Sequence, residues 1–228
     1  MYRQVTAFAR IPTASPAKST VAKSEEKEVR LIVFDLNGTF YNKSSKDEFY
    51  KFVVSKQPKR ILFAFEMAYY KLLKKLHQIR QTEFKENFFN YLDELPPEQV
   101  EKLAKEFWAK EYPENFNQEL KGYFEKMRKE GVQLFCATGG LELYVKPLFD
   151  LFPVDGFAGT QVKYEDGTYK VIGEACKEEE KLRRIIKHFK EKKPQIVEAY
   201  SDSKEAILDE ADKAFLVDDD GKIHPYQK

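Results

Sequence analysis

The chain has 228 residues, enough for one or two domains with a sizeable core. Its 39 Lys and Arg nearly balance 38 Asp and Glu, which excludes the lopsided basic field expected of a nucleic-acid-binding protein. Two cysteines, Cys136 and Cys176, are too few for a disulfide framework, so a reducing, cytoplasmic setting is expected, and no apolar run reaches the roughly eighteen residues that span a bilayer.

Residues 1–24 carry Arg3, Arg10, Lys18 and Lys23 but no acid, and are rich in Ser and Thr. That bias suits an organellar targeting segment, and the Pro12 and Pro16 region suits an unstructured tail; residues 1–28 are assigned to the tail. "RLIVFD" at 30–35 follows, a short β-branched apolar run of the kind found in a buried parallel strand. Asn37-Gly38 after it is also a two-residue hairpin signal. The next seventy or so residues are helical in pattern, which leaves such a hairpin no neighbouring strand to join.

Within that region Leu62, Phe65, Tyr69, Leu72, Leu76 and Ile79 recur at helical spacing and are read as the packed face of a small cap. Phe63, Met67 and Tyr70 lie on a different face and are the alternative lining of an apolar cleft or membrane contact. Phe84, Phe88, Leu92 and Leu95 continue the pattern, Pro96-Pro97 breaks it, and Val100, Leu103, Phe107 and Trp108 mark a further helix.

From about residue 114 the rhythm changes. A helix stopped by Gly131 runs into "VQLFCATGG", then a helix at "LELYVKPLFDLF" and a hairpin turning at Asp166-Gly167. A helix near 177–191, a strand "QIVEAY", a helix near 203–211 and a strand "KAFLVD" complete the chain. Alternating strands and helices predict an α/β fold: a Rossmann-like parallel sheet, residues 29–44 and 116–228, with an all-helical cap inserted at 45–115.

In such a sheet ligands sit beyond the carboxyl ends of the strands. Those ends read "DLNGT" from Asp35, then Thr138-Gly139-Gly140, then "YSDS" with Asp202, and Lys181 opens a helix before the last. Phosphoryl transfer needs these pieces. Asp35 is a candidate nucleophile, and Mg²⁺ held through Asp35, Asn37 and Asp202 would offset the charge between it and a phosphate. Lys181 adds a positive charge, while Thr138 and the Gly139 backbone would hold non-bridging oxygens. Cys136 is expected to be a buried core residue, and His77, His188 and His224 surface residues without metal spacing.

In these segments the chain resembles the haloacid dehalogenase superfamily, in particular its phosphoserine-phosphatase-like subfamily with a helical cap. The first motif, Asp-x-Asp-Gly-Thr, matches "DLNGT" except at Asn37. The Ser/Thr motif matches Thr138, and Cys-x-Gly-x-x-Lys matches "CKEEEK" with Glu178 in place of glycine. Tyr-Gly-Asp-Ser-x-x-Asp matches "YSDSKEA", with Ser201 for the glycine and Ala206 for the final acid. The similarity spans roughly residues 30–220.

The resemblance implies a Mg²⁺-dependent hydrolase acting on a small phosphomonoester through an aspartyl-phosphate at Asp35. It also makes Asn37 the position of the general acid and base, with Asn37, Asp35 and Lys181 as the catalytic set. An amide cannot shuttle a proton, so turnover should be impaired. The alternative is a pseudophosphatase that binds a phosphorylated ligand or partner without turnover. Glu205 and Asp209 are expected to be out of register to replace the acid missing at 206.

Overall fold

The computed structural model describes residues 29–190 and 194–227, so the 1–28 tail lies outside the described residues. A six-stranded sheet forms the core, in the order β3-β2-β1-β6-β7-β8. Its members are β1 (Arg30–Phe34), β2 (Gln133–Leu141), β3 (Gly156–Thr160), β6 (Gln195–Ser201), β7 (Lys213–Val217) and β8 (Ile223–Pro225). All neighbours are parallel except β7 and β8, an antiparallel edge that the sequence pattern did not announce. After β3 comes the expected hairpin, β4 (Val162–Glu165) and β5 (Thr168–Val171), with positive φ at Asp166 and Gly167.

β1 is central and buried on both faces, and its alternation divides the core. Ile32 and Phe34 point into an aromatic cluster with Phe40, Phe124, Phe116 and Trp108. Leu31 and Val33 point the other way, onto Ile185, Ile196, Ile207 and Leu208. Helices therefore cover both faces: α5 (Gln118–Lys129) the first, α7 (Glu179–His188) and α8 (Ala206–Glu210) the second. A short α6 (Glu142–Val145) follows β2.

Four helices are inserted after β1: α1 (Ser45–Lys56), α2 (Phe63–Lys75), α3 (Gln81–Phe88) and α4 (Pro97–Glu111). The chain enters and leaves this helical cap side by side, with Asn42 N–H donating to Asn115 O (3.0 Å) and Asn117 N–H to Phe40 O (3.0 Å). Asn37-Gly38 forms no hairpin. Gly38, at φ +71°, donates to Tyr41 O and turns the chain towards the cap.

One expectation is reversed. Leu62, Phe65, Tyr69, Leu72 and Leu76 are exposed, whereas Met67 is buried with Phe63 and Tyr70 packed beside it. α2 is apolar on both faces, so periodicity alone could not say which of them meets the cap core. Cys136 is buried, and burial raises its thiol pKa well above the usual range, which fits an inert core residue. His77, His188 and His224 are exposed, as expected. Among the described residues no helix is long and apolar enough to cross a membrane.

Candidate active site

Asp35 is the first residue past β1, where its N–H donates to Tyr200 O of β6 (2.9 Å). The strand ends leave its carboxylate facing the chain turn that Gly38 makes. Lys181, in the first turn of α7, is 1% exposed. Its ammonium donates to Asp35 Oδ1 (2.8 Å) and to Glu205 Oε2. Burial alone would lower the Lys181 pKa, but the two carboxylates outweigh it and hold the pKa above the ordinary value.

The α7 entry explains a motif. Glu178, the residue standing where the resembled pattern has glycine, lies at φ +51°, a backbone region that a side chain disfavours. Three residues on, Lys181 reaches Asp35 at the end of β1.

Asp202 follows β6 and closes on the turn after Asp35. A Cβ added to Gly38 would lie 2.6 Å from Asp202 Oδ2, so this close approach requires glycine. Burial first, and then the charge of Asp35, raises the Asp202 pKa; the same two causes, opposed by Lys181, raise that of Glu205. Glu205, at the start of α8, spends its carboxylate on Lys181.

Asn37 is fixed at both ends of its amide. Its Oδ1 accepts from Ser45 N–H (2.7 Å) and its Nδ2 donates to Thr138 Oγ1 (3.3 Å). One lone pair of the Asn37 side-chain oxygen is therefore already taken. Thr138 also accepts from Gly140 N–H (3.2 Å), which leaves its hydroxyl hydrogen for an anion. Gly139 lies under Lys177, whose Cε would be 3.0 Å from an added Cβ.

Asp35, Asn37, Gly139, Lys181, Asp202 and Glu205 line one cleft of about 420 Å³. Thr138 is held just behind it through Asn37. The cleft's other wall is cationic, with Lys43, Lys46, Lys85 and Lys177. Lys43 pairs with Glu111 and Lys46 with Asp47. Lys85 and Lys177 pair with no carboxylate among the described residues, although Lys85 is only 4% exposed. Burial, then the charges of Lys177 and Lys46, push the Lys85 pKa down to about 7. Nothing in the sequence distinguished Lys85 from the many solvated lysines of the helical region.

The donor set suits a magnesium ion. Asp35, Asp202 and Glu205 line the same cleft, and Lys181 pairs with Asp35 and Glu205, which leaves Asp202 without a basic partner there. No group of three His, Cys, Asp or Glu side chains is gathered at metal-ligand spacing among the described residues. Mg²⁺ does not require one, since it commonly takes one or two carboxylates together with water and substrate phosphate.

An open parallel sheet binds ligands beyond the carboxyl ends of its strands, where Asp35 and Asp202 lie, with the helices inserted after β1 above them. The chain belongs to the haloacid dehalogenase-like hydrolase family, whose model matches residues 32–205. Solved structures share this fold at low identity. A Bordetella pertussis protein of unknown function superposes with a TM-score of 0.62 at 16% identity, over 76% of this chain and 81% of that one. A phosphoserine phosphohydrolase-like protein from Francisella tularensis gives 0.57 at 19%, over 82% and 86%. A phosphoserine phosphatase captured as a phospho-aspartyl intermediate analogue gives 0.51 at 18%, over 82% and 86%. No curated protein matches the chain.

Proposed function

We propose that the protein is a Mg²⁺-dependent phosphomonoesterase that works through Asp35 and is slowed by Asn37. The observation that carries this is the Lys181 ammonium joining Asp35 to Glu205 at the strand ends, in the cleft that Asp202 also lines. Bound Mg²⁺ would supply charge neutralisation between carboxylate and phosphate, held by Asp35, Asp202 and Asn37 at the mouth of the same cleft.

Asp35 would attack phosphorus, forming a carboxylate–phosphorus bond as the bond to the leaving oxygen breaks. Lys181 holds the Asp35 carboxylate in place, and the Thr138 hydroxyl donates to a non-bridging oxygen. Water then cleaves the acyl phosphate, returning Asp35 and inorganic phosphate. The leaving oxygen needs a proton that the Asn37 amide cannot give, so it must come from solvent. Leaving groups stable as anions are favoured for that reason. The named phospho-aspartyl state of a phosphoserine phosphatase of the same fold supports the covalent step.

The cationic wall narrows the substrate class. Lys177 beside Gly139, together with Lys85 in its protonated form, lines the same cleft, which suits a phosphomonoester carrying a second anionic group. The second reading is a pseudophosphatase, favoured by the amide of Asn37 being locked between Ser45 and Thr138. Hydrolysis of an aryl phosphate with added Mg²⁺ separates the two. Turnover lost in Asp35→Asn supports the enzyme. No turnover across a phosphate panel by Asn37→Asp combined with Ala206→Asp leaves the binding protein.

A further inference from the structure

The second apolar face of α2 has no use in the cleft. Phe65 is 80% exposed and Leu62 71%, and Ile61, Tyr69, Leu72 and Leu76 are each more than half exposed. At about half of the 150–250 Å² that a large side chain carries, six such residues present on the order of 600 Å² of apolar surface. That is the upper end of what monomers leave in water.

Charge decides what covers it. Residues 56–80 hold seven Lys or Arg against one acid, Glu66. Lys56 and Lys71 are paired with Glu106 and Asp47, and Arg60 donates to the carbonyls of Tyr91 and Asp93. Lys59, Lys74, Lys75 and Arg80 form no ion pair with a described residue. A second copy of the chain would bring the same positive field against itself. Residues 1–24 would do so too, with four basic residues and no acid. An apolar interior bordered by negative charge is what this face and its flanks match, and an anionic lipid bilayer has that profile.

We propose that α2 docks the protein on anionic membrane surfaces. Phe65, Tyr69, Leu72 and Leu76 enter the acyl boundary, and Lys75 beside them on the helix, with Lys59 and Arg80 at its ends, meets the lipid phosphates. Binding is peripheral and reversible, and it is weakened by salt.

Flotation of the full chain with phosphatidylcholine vesicles, with and without phosphatidylglycerol, tests this. The wild type should float with the anionic vesicles and remain largely in solution with neutral ones. Phe65→Ser with Leu72→Ser should reduce partitioning at least about tenfold, as should Lys59→Glu with Lys75→Glu. The serine variant should keep its far-UV circular dichroism and its phosphatase activity. A Phe65→Trp variant gives a reading that does not depend on removing apolar surface: its emission should shift to the blue on anionic vesicles, against the constant signal of buried Trp108.

Wild-type protein left in solution with both vesicle types would overturn the proposal. So would undiminished flotation of the serine variant, which would assign lipid binding to another segment. Unshifted emission from the Phe65→Trp variant counts equally against it. A wild-type dimer in light scattering that Phe65→Ser with Leu72→Ser converts to monomer would assign the face to a second copy.

Discussion

Lys181 Nζ lies 2.8 Å from Asp35 Oδ1, joining residues 146 positions apart in a site where the lysine is almost wholly buried. Removing one partner of a buried pair leaves the other charge uncompensated, which typically costs about 3–5 kcal/mol. Here two carboxylates would be stranded. Lys181→Met should therefore lower stability by an amount in that range as well as abolish turnover. Denaturant titration beside an activity assay checks both; a variant as stable as the wild type would mean the pair carries no structural weight.

On the proposed mechanism, Asn37→Asp supplies a group able to give and take a proton at the leaving oxygen. The gain should be about 10²–10⁴-fold in kcat for alkyl phosphates and much smaller for aryl phosphates, whose leaving groups need little protonation. Comparing the two substrate types in both proteins measures it. Equal gains for both would place the defect elsewhere.

Lys85 should show its burial in the pH dependence of stability. Its pKa is depressed from 10.5 to about 7 in the folded protein, so between those values the unfolded chain binds the extra proton and stability rises with pH. The cost of its burial is fully present below about 7 and vanishes above 10.5. Lys85→Met should then be more stable than the wild type at neutral pH, by on the order of 2–4 kcal/mol, with the gap closing towards alkaline pH. The same variant should raise KM for a doubly anionic substrate while leaving kcat little changed. Melting temperatures across pH and steady-state kinetics test the two halves.

Glu178 occupies a backbone conformation better suited to glycine. Glu178→Gly should stabilise the protein by about 1 kcal/mol, the relief of left-handed strain less the added chain entropy. Thermal unfolding decides it, and a loss of stability would show that the Glu178 side chain contributes more than its strain costs.

Much of the core was legible because its signals are local. β1 is a short apolar run with an acid at its end, the Asp166-Gly167 hairpin is set by turn chemistry, and the strand–helix alternation dictates a parallel sheet. Lys181 became visible only through the pattern around Cys176, since an isolated helix lysine looks like any other. Glu205 and Lys85 were hidden for a different reason. Their roles come from tertiary placement, one at the cap of a short helix and one under the cap roof, and no spacing encodes either. α2 misled because both of its faces are apolar, and only packing shows that Met67 turns inward while Phe65 faces out.

The most direct measurement is a crystal structure of the protein soaked with Mg²⁺ and a beryllium fluoride salt, a mimic of the phosphoryl group. The account predicts beryllium bonded to the Asp35 carboxylate, Mg²⁺ between Asp35 and Asp202, and fluorines within hydrogen-bond reach of Lys181 and Thr138. A fluoride complex found instead against Lys85 and Lys177, with the Asp35 carboxylate still paired only to Lys181, would contradict it.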